Sequence, residues 1–162
     1  MTASVRSRGT ARLWQAALVV LCVAADVSGT AAADSLQDTL ESRPWRITSY
    51  FDGDQFRVPE NAVPDAANPA VTRLLPWPWI QFAGGRIGGT SGCSGLAGSY
   101  TAAGNLLTLH VGFLIAPQCP PILAAQDAFI VRDLRDARRV KPNQGSLVLL
   151  DRSGVAQLVL TP

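Results

Sequence analysis

Histidine is nearly absent from this chain: His110 is the single imidazole in 162 residues. Any triad or Cys–His pair would have to run through it, and no set of three or four convergent donors that a metal centre needs is spaced around it. In the run LTLHV it alternates with Thr108, which places it on the wetter face of a strand. Other catalytic signatures are missing as well. Ser91 and Ser94 lie in a glycine-rich turn, with no G-x-S-x-G elbow leading into a helix. No Gly-Lys-Ser/Thr follows the glycines between Gly84 and Gly98, which excludes a phosphate loop; their work is in tight turns, bulges and close strand approach. Asp52 and Asp54 invite a paired-carboxylate reading, yet Asp-Gly-Asp is the composition of a solvated bend and lacks the later ligands of a calcium loop. The sequence therefore assigns no catalytic, cofactor-binding or metal-ligating residues, and an enzyme working through His110 is the weakest of the readings it supports.

Long hydrophobic runs are also missing. The one apolar stretch, Leu13 to Ala25, is broken by Gln15 and falls short of the roughly 20 residues that cross a hydrocarbon core. It follows Arg6, Arg8 and Arg12 and precedes Ala31-Ala32-Ala33. A basic start, a short apolar core and an A-x-A site make a secretory signal over residues 1–33, with cleavage after Ala33. Lipid attachment at Cys22 would want a small residue before it, and Leu21 stands there; Cys22 reads as one more apolar residue of the signal. The expected mature domain, 34–162, is exported to a periplasm or the medium and keeps no stable membrane span.

Cleavage changes two balances. The 14 basic and 12 acidic residues lose Arg6, Arg8, Arg12 and Asp26 and become equal in number, so no basic stripe remains for nucleic acid. Of the three cysteines, Cys93 and Cys119 are left; an even pair in an exported chain implies one disulfide.

What remains is strand-like. Residues 34–43 are polar, with Leu36 and Leu40 spaced for one helical turn. WRITSYF alternates, with Trp45, Ile47 and Phe51 on one face and Arg46, Thr48 and Tyr50 on the other. Residues 52–76 hold Pro59, Pro64, Pro69 and Pro76 and read as a long connection, with a short turn or strand between Val71 and Leu75. Trp79 to Phe82 and Arg86 to Gly89 flank a Gly84-Gly85 hairpin. Strands follow at 98–102, 106–111, 147–150 and 156–160, with an amphipathic helix between Ile122 and about Ala137, its far side taken by Arg132, Asp133, Arg135 and Asp136. Pro142 and Asn143 to Gly145 break the stretch after that helix. The fold class is mainly β: a curved antiparallel sheet or partly open β-barrel with one amphipathic helix packed across it. In Trp77-Pro78-Trp79, either both rings fill the core or one packs inward and the other lies exposed beside the long loop, where it suits a partner protein or a small apolar ligand.

The run GGRIGGTSGCSGLAGSY carries a more specific signal. Gly92-Cys93-Ser94, then Gly98-Ser99-Tyr100, Cys119 just before a helix, Phe129 within it, and a closing Leu147-x-Leu149, Asp151-x-x-Gly154 hairpin appear in that order, with Trp45 opening the domain. This order resembles the META domain, HslJ-like family, over about residues 44–161. The resemblance implies an exported or envelope-attached domain, a Cys93–Cys119 bond, a partly open barrel like that of small secretion-pilot proteins, and a link to stress, drug tolerance or virulence. Its accompanying alternative is an accessory pilot or assembly factor that grips a protein or lipid. Two departures stand out: Ser94 replaces the family's usual Asn, and Ile115 to Gln118 replaces its Thr-Arg-Met.

Overall fold

The computed structural model describes residues 36–65, 67–114 and 119–162. The expected signal at 1–33, Cys22 and the departure at 115–118 lie outside them.

A helical turn at residues 36–41 (α1) leads into β1 (Trp45–Phe51). An excursion follows, with β2 (Phe56–Arg57), β3 (Ala62–Pro64) and β4 (Thr72–Leu74). The chain then runs through β5 (Trp79–Ala83), β6 (Arg86–Thr90), β7 (Gly95–Ala103) and β8 (Leu106–Leu114). The long helix α2 (Pro121–Asp136) and the strands β9 (Arg139–Asn143), β10 (Ser146–Leu150) and β11 (Ala156–Thr161) complete it. Neighbours pair antiparallel in chain order from β5 to β11, and β1 pairs with both β5 and β11. The curved sheet is thereby a closed barrel of eight antiparallel strands. The 52–76 connection is built rather than featureless: β2 extends β1, and β3 pairs with β4.

Alternation fills the barrel. Ile80 and Phe82 point in from β5, Ile87 from β6, Leu107 and Leu109 from β8, Leu147 and Leu149 from β10, Leu158 and Leu160 from β11. Eight strands enclose just enough space for side chains, and Phe82 meets Tyr100 edge-on at 5.0 Å between centroids inside it. β1 departs from the expected faces. A bulge between Ile47 and Ser49 shifts the parity, so Tyr50 is buried and Phe51 half-buried.

Each end of the barrel has its own cover. The tight turns at Gly84-Gly85, Gly104-Asn105 and Gln144-Gly145 share one end. There α1 buries Leu36 and Leu40 against the core, the Trp45 indole N–H donates to the Leu40 carbonyl at 2.9 Å, and Glu41 accepts from the Gly84 N–H at 2.9 Å and from the Tyr100 hydroxyl. At the other end α2 packs on β8 and also on β1 and β11. Those strands face each other across the ring, so the helix spans the mouth. Leu123, Ile130, Val131 and Leu134 are its buried side, and Phe129 stacks near Tyr50 at 6.2 Å.

β9 is the strand that sequence reading broke up. Pro142 opposes Leu147 of β10, while on its other side β9 touches β8 only at Leu106 and Arg139. With no ladder on that side, the missing proline N–H costs nothing. Beyond this narrow seam β8 parts from β9 while staying paired with β7, and the Arg135 guanidinium donates to its Val111 carbonyl at 2.7 Å. Among the described residues, no helix is long and apolar enough to cross a membrane.

Candidate functional site

Two places in this frame hold the residues singled out by sequence. The first is the corner between the β6–β7 turn and the start of α2. The Cys93–Cys119 disulfide joins them, with the Cα atoms 5.8 Å apart. Pro120 caps α2 and Pro121 opens it, where an N–H would have no helical partner. The turn is held from within: the Ser94 carbonyl accepts from the Ser91 N–H at 3.0 Å and from the Thr90 hydroxyl at 2.9 Å. Gln126 of α2 then ties three segments together. Its amide donates to the carbonyls of Ser91 and Glu60 and accepts from the Glu60 N–H at 2.7 Å. Asp127 is buried beside the sulfurs, its carboxylate 3.5 Å from the Cys93 N–H. The corner is a structural clamp, fixing turn, excursion and helix start.

The second place is the outer wall along β5 and β6. Trp77 and Trp79 are 39% and 37% exposed, so neither ring packs inward. The strand register explains why: Ile80 and Phe82 take the two inward positions of β5, leaving Trp79, Gln81 and Ala83 outside. Pro78 is buried between the rings, and its carbonyl accepts from the Ile47 N–H at 2.9 Å. The Arg46 guanidinium lies 4.0 Å over the Trp77 ring, a cation–π contact that holds it upright. Next to Trp79 a shallow groove of about 280 Å³ runs along Gln81, Arg86 and Gly88.

A model of the META domain matches residues 38–161. The chain belongs to the META domain family. Solved structures agree at the level of fold. A protein from Burkholderia xenovorans studied by NMR is 18% identical, with a TM-score of 0.54 over 78% of this chain and 86% of its own. A second NMR structure is 17% identical, with a TM-score of 0.53 over 77% of this chain and 92% of that one. A DUF4847 family protein from Bacteroides vulgatus is 12% identical, with a TM-score of 0.50 over 78% and 96% of the two chains. No curated protein matches.

Within this META domain the departure at Ser94 is absorbed locally. Ser94 is buried, and it is its backbone carbonyl that closes the turn; that bond does not need the family's Asn side chain. His110 is exposed on β8, as its alternation implied, in a groove with Thr108, Arg135 and Arg138. Its cross-strand neighbour is Ser99, but no hydrogen bond joins the two and no carboxylate on β7 or β8 orients the ring. Asp52 and Asp54 do not form a carboxylate pair. Asp52 accepts from the backbone N–H groups of Gln55 and Asp54 and binds Arg57 at 2.6 Å. The Gln55 N–H above all, then Arg57, brings its carboxyl down to about 2.

Sequence reading missed Asp133. Helical periodicity put it on the outer side of α2, but it is fully buried. It accepts from the Phe51 N–H at 2.8 Å and pairs with Arg132 at 2.7 Å. The end of β1 supplies that unpaired N–H, and nothing in the local sequence of the helix signals it.

Proposed function

We propose that the mature chain is an exported, non-enzymatic META domain acting by binding, with the Trp77–Trp79 wall as its contact surface. The observation that carries this reading is that two indoles stand half-exposed at and just before the start of β5, one of them under the Arg46 guanidinium. Exposed tryptophan is costly to leave in water and is enriched where partners dock. The lumen is filled by core side chains, so a protein or lipid would be gripped on the outside of the barrel. Export gives the disulfide its oxidising compartment.

Immobilised mature chain exposed to envelope extract tests the reading. A species retained by the wild type and lost with Trp77→Ala is expected; equal retention by both contradicts it. For the enzyme alternative, His110→Ala is expected to leave the cellular phenotype unchanged, and loss of that phenotype would revive it.

A further inference from the structure

The geometry points to an acidic carbohydrate as the occupant of this wall: a short run of uronate-type sugars lying in the groove beside Trp79. This deepens the binding role proposed above and rests on it.

Charge is the first reason. None of the eight barrel strands contains Asp or Glu; the acids of the described chain are confined to the helices, the excursion and the turn before β11. A domain with balanced charges thus has a wall of one sign. The register places Arg86 opposite Ala83 and Ser99 at the groove, and Arg46 opposite Trp79 on the neighbouring strand β1. Among the described residues Arg86 makes no hydrogen bond or ion pair, and Arg46 contacts only the Trp77 ring. Arg86, without an anionic partner, lines the groove itself, and Arg46 stands beyond Trp79 against the Trp77 ring; guanidinium forks match carboxylates.

Shape is the second. The floor is Gly88, and a Cβ placed there would meet no heavy atom within 4 Å; Ala97 continues it. A flat, open floor beside an exposed indole accepts a pyranose ring, whose C–H face stacks on the aromatic while Gln81 and Arg86 reach its hydroxyls and carboxylate. Nucleic acid is disfavoured because its phosphates call for a basic stripe. An anionic bilayer is disfavoured because the floor is small residues and not an insertable apolar face.

Titration calorimetry on the mature chain with a galacturonate oligomer tests this. Binding that weakens with added salt is expected. Trp79→Ala, Arg86→Gln and Gly88→Val should each weaken it on the order of tenfold, with thermal unfolding little changed. Gly88→Val is the discriminating variant, since its Cβ enters the groove without meeting the protein. No binding of the oligomer, equal binding of a neutral dextran oligomer, tighter binding of single-stranded DNA or phosphatidylglycerol vesicles, or indifference to all three substitutions would each overturn the inference. If uronate binding fails while extract capture still depends on Trp77, the binding role stands and only the ligand class falls.

Discussion

Asp133 sits fully buried at the barrel's covered mouth, and burial raises its carboxyl to about 6 against the opposing pull of Arg132 and the Phe51 N–H. Between its ordinary value and about 6 the folded carboxyl keeps a proton that the unfolded one has lost, so stability falls as pH rises through that window. Glu41, Asp52 and Asp151 run the other way. Held low chiefly by the Tyr100 hydroxyl, the Gln55 N–H and the Ser153 hydroxyl respectively, they contribute stability above their ordinary values that is lost on further acidification. Melting temperature is therefore expected to peak on the acid side of neutrality, at about pH 4–5. Asp133→Asn should flatten the decline toward pH 6; a variant that keeps the wild-type slope contradicts this. Gly98 gives a steric prediction at the same scale. A Cβ there would run into the His110 carbonyl across the β7–β8 ladder. Gly98→Ala is expected to cost about 1–3 kcal/mol, read as a lower denaturation midpoint; an unchanged midpoint would show that the ladder can yield.

α2 is the element that the molecule holds from both ends. Its N-terminus is tied by the disulfide and Gln126, and its last turn by Arg138, which donates to the carbonyls of Arg135 and Ala137. Replacing both cysteines by serine should remove about 3.5 kcal/mol on the loop-entropy model, and hydrogen exchange should quicken first in α2 and the 91–94 turn. Uniform loosening of the whole barrel would contradict a local clamp. At the opposite end, Leu40 is fully buried under α1, and Leu40→Ala is expected to cost about 2–5 kcal/mol by chemical denaturation. A cost below 1 kcal/mol would mean that the α1 cover is not part of the cooperative fold. Most of these elements were legible in the sequence. Sequence patterning located seven of the eight barrel strands, β1 at its full length and the other six short by one to a few residues, the diglycine located its hairpin, and Pro120-Pro121 located the helix start. What escaped depended on partners distant in sequence. The β1 bulge moved Tyr50 inward, β9 tolerated Pro142 because β8 leaves it so early, and Asp133 answered an N–H some eighty positions away. The tryptophan wall is half legible: the sequence leaves open whether both rings fill the core or one lies exposed, and their common outward direction follows from the β5 register.

For the whole molecule, the same partition explains fold and proposed use. The interior of the barrel is apolar, and the wall proposed for recognition is built from strands that carry cations and aromatics and no acids. The acids occupy the helices and loops that cover and flank the barrel, where several are consumed by turns and caps. β1, which carries Arg46 of this wall, is paired on both sides, with β5 and with β11. Such a surface works only where it meets its ligand, and the oxidised clamp works only outside a reducing compartment. The most direct measurement is an intact mass, with thiol alkylation, of the protein recovered from producing cells. The expected result is a chain beginning at Asp34 with no alkylated cysteine; a chain that keeps residues 1–33 and carries alkylated Cys93 and Cys119 contradicts the account.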